Sequence, residues 1–158
     1  MKVIVFGSTG TVGKHLVEQS LQKGHTVYAF CRTPEKLNSL GHKNLKIVKG
    51  DVLNSNEVSK ALQQMDAVCI ALGSGKSRKS TIRSQGTKIV IDQMKNVGIK
   101  RLICQTTLGA GESIGNLNFF WKHIMFGWFI KQVFNDHELQ EKYVKNSDLD
   151  WTIIRPGA

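Results

Sequence analysis

The chain has 158 residues, 41% of them hydrophobic and 22% charged, and its three cysteines form no Cys-x-x-Cys pair. This length and composition predict a single globular domain over residues 1–158 and exclude a disulfide-built fold. No apolar run is long enough to span a bilayer and no signal-peptide pattern follows Met1, so we expect a cytoplasmic protein without a transmembrane segment. The formal net charge of +10 favours anionic ligands. No zinc-ligand spacing or nucleic-acid-binding motif accompanies the charge, so neither a metal site nor a specific nucleic-acid partner is expected.

Short apolar runs alternate with amphipathic stretches along the chain. The apolar runs predict six strands, at Lys2–Phe6, Thr26–Cys31, Leu45–Val48, Ala67–Leu72, Arg101–Gln105 and Trp151–Ile154. The amphipathic stretches predict four helices, at Thr11–Lys23, Asn56–Gln64, Thr81–Asn96 and Asp136–Asn146. This alternation is typical of an α/β protein with a Rossmann-like doubly wound parallel sheet of about six strands between two helical layers.

The helical periodicity also predicts which side chains face the sheet. Val12 and Val17 share the apolar face of the first helix, and Leu139 and Val144 share that of the fourth. Asn54 or Ser55 is available as the N-cap of the second helix.

The segment from 108 to 134 breaks the alternation. Its first part is rich in glycine and loop-like, and 119–134 holds seven aromatic residues. The aromatic stretch is compatible with a helix packed on the sheet, an apolar wall beside a ligand site, a contact in a homo-oligomer, or a membrane-surface patch.

The stretch GSTGTVG at 7–13 lies between the first strand and the first helix. Its glycine spacing in this context predicts a dinucleotide site. Gly7 permits the tight turn, Gly10 lets a pyrophosphate approach the backbone, and Gly13 lets the helix pack closely. The phosphates would meet free N–H groups at the helix start, and hydroxyl donors are available from Ser8, Thr9 and Thr11.

A nucleoside-triphosphate P-loop is the competing explanation for the glycines. That motif needs Gly-x-x-x-x-Gly-Lys followed by Ser or Thr. Gly13-Lys14 is followed by His15, and the GSGKS stretch at 73–77 would need a glycine where Ile70 stands. Neither stretch is therefore a P-loop.

The residue after the second strand discriminates between the two nicotinamide cofactors. An NAD-preferring site places Asp or Glu there to bond the ribose hydroxyl, whereas this chain has Arg32 followed by Thr33. A guanidinium suits a 2′-phosphate, with the Thr33 hydroxyl as a second donor. The position favours NADP(H), although an ordinary surface charge is the alternative.

Two further residues lie where a cofactor would pass. Asp51 follows the third strand, where its carboxylate is available either to the adenine amine or to cap the next segment. Gly73 follows the fourth strand at the carboxyl edge of the sheet, where the ribose could approach the backbone.

Together these stretches resemble the atypical short-chain dehydrogenase/reductase superfamily. Within it they are similar to the NAD(P)H-binding group that includes biliverdin reductase B, also called flavin reductase, and the NmrA-like proteins. The matching pieces span essentially the whole chain: GSTGTVG at 7–13, Arg32, GDV at 50–52, ALG at 71–73, QTTLGAG at 105–111, DHE at 136–138 and DWTIIRPGA at 150–158.

The resemblance implies NADP(H) as cofactor and a role for each matching residue. The pyrophosphate contacts would come from Gly7, Thr9, Gly10, Thr11 and Val12. The remaining adenosine contacts would come from Arg32 and Thr33 at the 2′-phosphate, Asp51 and Val52 at the adenine, and Leu72 and Gly73 at the ribose. The nicotinamide would be flanked by Thr106 and Thr107 and bordered by the backbone of Pro156 and Gly157, with Thr107 in the place of a serine in the flavin/biliverdin reductase.

The chain departs from the superfamily in its acid–base chemistry. The usual Tyr-x-x-x-Lys pair is missing, because Tyr28 is followed four residues later by Arg32 and Tyr143 by Ser147. His137 is the one nearby histidine that could donate a proton, unless it caps a helix or lies on the surface. The chain also stops at Ala158, where many relatives continue, so we expect either an open substrate pocket or missing substrate-covering segments.

Two functions are compatible with these features. The first is an NADPH-dependent reductase that passes hydride to a flavin, a quinone or another conjugated small-molecule acceptor, which takes its proton from water. The second is a non-catalytic NADP(H) sensor that changes partners with redox state. An epimerase or dehydratase is disfavoured by the missing tyrosine.

Overall fold

Six parallel strands form one sheet in the order β3-β2-β1-β4-β5-β6. The computed structural model describes residues 1–75, 77, 80–108 and 131–156. The strands are β1 Lys2–Phe6, β2 Thr26–Cys31, β3 Leu45–Lys49, β4 Ala67–Ile70, β5 Arg101–Gln105 and β6 Asp150–Ile154. The order reverses direction at β1, with the second half of the sheet starting at β4, which confirms the expected doubly wound α/β fold.

Within these described ranges, four α-helices connect the strands. They are α1 Thr11–Gln22, α2 Ser55–Ala61, α3 Ile82–Val97 and α4 Lys131–Lys145. A 3-10 helix at Pro34–Leu40, which the sequence pattern did not predict, lies between β2 and β3 and buries Leu37 completely. Helix α4 begins five residues earlier than expected, and β4 ends two residues earlier, at Ile70.

The core has one apolar cluster on each face of the sheet. Alternate residues of β1 divide between them: Ile4 and Phe6 pack with α2, α3 and α4, whereas Val3 and Val5 pack with α1. This division explains why β1 is an unbroken apolar run, since both of its faces are covered.

Two of the predicted inward-facing side chains point outward. Val17 and Val144 are buried as expected, but Val12 is 47% exposed and Leu139 is 40% exposed. Val12 lies in the first turn of α1. Helix α4 turns polar side chains inward instead of Leu139, among them Asp136, Gln140 and Glu141.

Candidate functional site

A cleft of about 830 Å³ opens at the carboxyl ends of β1 to β4. Its lining comes from the four segments that directly follow those strands and from the start of α3. Nine residues that the sequence singled out lie along it: Gly7, Thr9, Gly10, Thr11, Arg32, Asp51, Val52, Leu72 and Gly73. The fold therefore gathers most of the predicted adenosine and pyrophosphate residues into one place.

The glycine turn after β1 is shaped by two close backbone approaches. Gly7 has a φ of +85°, and a Cβ on it would overlap the Ala71 carbonyl after β4. A Cβ on Gly13 would overlap the Gly7 carbonyl. The Gly10 N–H donates to the same Gly7 oxygen at 3.0 Å. Gly7 thus lets the loop after β1 pack against the residue that follows β4. Gly13 lets the start of α1 pack against that same loop, so the N-terminus of the helix lies at the cleft.

The first turn of α1 carries unpaired donors. Its N-cap is Gly10, no side chain caps it, and it contains no acidic residue. The first N–H groups of a helix have no intrahelical partner, and the helix dipole favours an anion there. In this place the chain supplies donors without an acceptor, which fits a phosphate.

The starts of the next two α-helices are capped. The Asn54 side chain accepts from the backbone of Asn56 and Glu57 at 3.1 and 3.3 Å, which confirms one of the two expected caps of α2. The Asp136 carboxylate, 52 residues away along the chain, accepts from Ser84 N at 3.0 Å at the start of α3. The N-cap residue Thr81 does not itself cap α3, so Asp136 supplies that acceptor from a distance. Of the three α-helices whose first turns lie within the described residues, only α1 thus has no described side chain that accepts from its first N–H groups.

Ser8 does not contribute a hydroxyl to the cleft. The residue is fully buried, and its hydroxyl donates to the Phe30 carbonyl at 3.0 Å. The expectation that this hydroxyl adds a phosphate donor is therefore wrong: it ties the glycine turn to β2 instead. Val12 also lies outside the lining of the cleft.

Arg32 is exposed and lies on the cleft wall directly after β2. Among the described residues it forms no ion pair, unlike Arg83, Arg101 and Arg155. Its guanidinium is thus available to an anion in the cleft. Thr33 is exposed beside it but does not line the cleft.

Asp51 serves the local turn and also faces the cleft. Its Oδ1 accepts from Leu53 N at 3.0 Å, so the capping alternative holds for that oxygen. Glu57, which the sequence analysis missed, accepts from Asp51 N at 2.7 Å and from the Asn54 side-chain amide at 3.0 Å. The signal was present in the Asn54-x-x-Glu57 spacing, which resembles a capping box.

Gly86 in the middle of α3 was also missed. A Cβ there would lie 2.7 Å from Leu72 Cδ1 and 3.0 Å from Val52 Cγ1. The glycine lets α3 press against two residues that line the cleft. A glycine inside a strongly predicted helix was the signal for such a close approach.

The predicted nicotinamide residues lie beyond the cleft lining, after β5 and β6. The backbone of Thr106 donates to Ile154 O at 2.9 Å, and that of Leu108 donates to Pro156 O at 3.3 Å. The Thr107 hydroxyl points to Leu108 O at 3.4 Å. Gly157 and the aromatic residues at 119–130 lie outside the described residues. The nicotinamide contacts, the homo-oligomer contact and the aromatic wall therefore stay predictions.

Glu141 is the buried acceptor beneath these segments. Its residue is 2% exposed, and its carboxylate accepts from the Thr106 hydroxyl and from Arg155. Burial alone would raise the pKa of the Glu141 carboxyl, but the hydrogen bonds from Arg155 and Thr106, with the charges of Arg155 and Lys145, outweigh it and lower that pKa. No local sequence pattern indicates this contact, because the partners of Glu141 lie 35 and 14 residues away.

His137 is neither a surface residue nor a helix cap. It lies inside α4, is 8% exposed, and its Nδ1 is 3.2 Å from Gln140 Oε1. Burial, together with the Arg83 cation, lowers the pKa of His137 to about 4. Because the imidazole is neutral near pH 7 and does not line the cleft, these observations argue against its role as a proton donor.

The three cysteines are buried, as predicted. Burial raises the pKa of Cys69 to about 11 and that of Cys104 to about 12, and it also raises the pKa of Cys31. Such thiols stay protonated and are poor nucleophiles. Within the described ranges, no cluster of side chains is placed to hold a metal ion. No helix among those residues combines the length and the apolar character needed to cross a bilayer.

Comparison with known proteins identifies the kind of domain. A family model described as NAD(P)H-binding matches residues 7–158. The photosystem II assembly factor Ycf39 from Synechocystis sp. is 29% identical over 98% of this chain and 44% of its own length. The chain thus spans less than half of that relative.

Two solved structures share the fold along the whole chain. The oxidoreductase ylbE from Lactococcus lactis has a TM-score of 0.85 and 27% identity, covering 100% of this chain and 69% of its own. ChuY, an anaerobillin reductase from Escherichia coli O157:H7, has a TM-score of 0.82 and 25% identity, covering 100% and 73%. The chain therefore belongs to the NAD(P)H-binding family and is an NAD(P)-binding protein of the atypical short-chain dehydrogenase/reductase type.

Proposed function

We propose that the chain is an NADPH-dependent reductase that passes hydride to a flavin, a quinone or another conjugated acceptor. One observation carries the proposal: the uncapped start of α1 opens into the same cleft as the Arg32 guanidinium, which forms no ion pair with the described residues. A dinucleotide with a 2′-phosphate has anionic groups for both positions. The helix start would hold the pyrophosphate, and Arg32 would hold the extra phosphate.

The cleft wall between these two points suits an adenosine. Val52 and Leu53 offer apolar surface, and Asp51 keeps a second carboxylate oxygen for the adenine amine. Leu72 and Gly73 follow β4, and no heavy atom of the described residues beyond 72–74 lies within 4 Å of where a Cβ on Gly73 would stand. This space supports the predicted passage of the ribose along the backbone.

The side-chain types of the cleft wall favour some classes of hydride acceptor over others. The described lining of the cleft contains no histidine, lysine or tyrosine, and the chain has no Tyr-x-x-x-Lys pair. When bound, NADPH supplies the hydride; the chain's residues hold and orient the cofactor. An acceptor that needs a protein acid, such as a simple ketone, is therefore disfavoured. Flavins and quinones fit, because water can supply their proton.

The cofactor assignment is tested by fluorescence titration with NADPH and NADH. The parent protein should bind NADPH more tightly, and Arg32→Ala should remove about 1–3 kcal/mol of that preference, since one charge-assisted phosphate contact is lost. Lys23→Ala, which removes an exposed cation at the opposite end of α1, is the matched control and should keep the preference. Equal affinities of the parent for the two cofactors would contradict the role of Arg32.

The reaction is tested by following NADPH oxidation with FMN, quinones and aldehydes. Turnover with conjugated acceptors but not with aldehydes is expected. The absence of histidine, lysine and tyrosine from the described cleft wall also favours the second candidate, a sensor. Saturable NADPH binding without turnover of any acceptor would assign the sensor function instead.

A further inference from the structure

The carboxylate of Glu141 joins the two segments that follow β5 and β6. Its Oε1 accepts from the Thr106 hydroxyl at 2.8 Å and from Arg155 Nε at 2.7 Å, and its Oε2 accepts from Arg155 Nη2 at 2.6 Å. Thr106 is the first residue after β5, and Arg155 is the first after β6. Three short hydrogen bonds therefore fix α4 to both segments at once.

The two segments also continue to pair beyond their strands. Thr106 N donates to Ile154 O at 2.9 Å, and Leu108 N donates to Pro156 O at 3.3 Å. They behave as one ledge at the carboxyl edge of the sheet, residues 106–108 and 155–156. Among the described hydrogen bonds, those of Glu141 reach both segments of this ledge.

The position of the ledge relative to a cofactor follows from the proposed function, on which this inference rests. Arg32 and Asp51 would place the adenosine half over β2 and β3. A dinucleotide crosses such a sheet where the strand order reverses, so its other half extends over β4, β5 and β6. The nicotinamide would then meet the ledge.

The geometry of the ion pair between Glu141 and Arg155 is better suited to positioning the ledge than to adding stability to the fold. A buried ion pair adds little net stability, because apolar side chains of similar volume would hold the helix as well. A two-pronged pair between a guanidinium and a carboxylate does fix direction and distance. Glu141 does not line the cleft and so acts through Thr106 and Arg155.

We propose that Glu141 is a positioning residue that sets the ledge against the nicotinamide half of the cofactor. The test compares two ligands of the full chain by calorimetric titration: NADP⁺, and adenosine 2′,5′-bisphosphate, which lacks the nicotinamide half. Glu141→Gln keeps the size of the side chain and removes its charge. It should weaken NADP⁺ binding by about ten-fold, because small misplacements of a binding group are costly. It should change the affinity for the bisphosphate by less than about two-fold, because distant sites act independently.

Three further variants keep the test decisive. Thr106→Val removes one of the three hydrogen bonds and leaves the Arg155 pair, so it serves if Glu141→Gln fails to fold. In the Thr106→Val background, Glu141→Gln should cause a smaller loss of NADP⁺ affinity than in the parent, since both changes act on one network. Val144→Ala, a buried apolar residue of the same helix, destabilises the fold without touching the carboxylate and should preserve the ratio of the two affinities.

Each result separates this inference from the function on which it rests. Equal weakening of both ligands by Glu141→Gln, or unchanged NADP⁺ affinity, would overturn the positioning role while leaving the cofactor assignment intact. A parent protein that binds neither ligand would overturn the proposed function, and the positioning role with it.

Discussion

Lowering the pH should destabilise the fold through one buried side chain, His137. Its pKa falls from an ordinary 6.5 to about 4 because of burial and the Arg83 cation. Above pH 6.5 the imidazole is neutral in both the folded and the unfolded chain, so the full stability is present. Between pH 6.5 and 4 the unfolded chain binds a proton that the folded chain does not, and the free energy of unfolding falls as the pH falls.

The size of the effect follows from the interval between the two pKa values. It covers about 2.5 pH units, and each is worth about 1.4 kcal/mol, so His137 accounts for at most about 3 kcal/mol of lost stability by pH 4. This is a large share of the 5–15 kcal/mol that is typical of a domain, taken here as an order of magnitude. His137→Asn should remove the contribution, since the amide can replace the Nδ1 contact with Gln140 and does not titrate.

The assay is urea unfolding of parent and variant at several pH values from 7.5 to about 4. The two curves of unfolding free energy against pH should converge as the pH falls, because the parent loses a term that the variant lacks. Val144→Ala adds no titratable group, so it should lower the parent curve by a constant amount. If His137→Asn runs parallel to the parent over this range, the burial argument for His137 is refuted.

Two other substitutions test the local architecture. Gly13→Ala should abolish NADPH binding and lower the free energy of unfolding in urea by about 1–3 kcal/mol, because its Cβ would overlap the Gly7 carbonyl. The control Gly41→Ala, whose Cβ would stand in open space, should change neither quantity. Asp136→Ala should cost about 3 kcal/mol, because it removes the acceptor at the start of α3 and leaves the partly buried Arg83 without its counter-charge. Thermal unfolding should show a much smaller loss for Asp92→Ala, whose carboxylate is exposed, and equal losses would contradict the account of Asp136.

Local patterns were sufficient for the parts of the site that depend on neighbours in sequence. The turn from β1 into α1 needs only a glycine at the bend, Gly7, and another in the first helical turn, Gly13. Both lie in the seven-residue stretch GSTGTVG at 7–13. Arg32 was expected at the cleft because it directly follows β2, and ligands of such sheets bind at the carboxyl ends of the strands; the structure places it on the cleft wall. The strands β1, β2 and β5 have the predicted bounds, since each is a continuous apolar run that ends in polar or glycine-rich sequence.

Contacts between distant residues could not be predicted in the same way. Ser8 looked like a phosphate donor because nothing in its neighbourhood reveals the Phe30 carbonyl above it. Leu139 was expected inside because helical periodicity counts apolar residues, whereas α4 buries Asp136 and Glu141, whose partners come from other elements. A buried polar side chain is determined by its partner, and the partner is known only once the chain has folded.

The two buried carboxylates of α4 also restrict how that helix can dock. Asp136 must meet the backbone of Arg83 and Ser84, while Glu141 must meet Thr106 and Arg155. A helix held only by apolar contacts can rotate, or slide by one helical turn, and still pack nearly as well. In this protein either movement would leave a buried carboxylate without its partners, which costs free energy. One alignment of α4 is therefore favoured over the others.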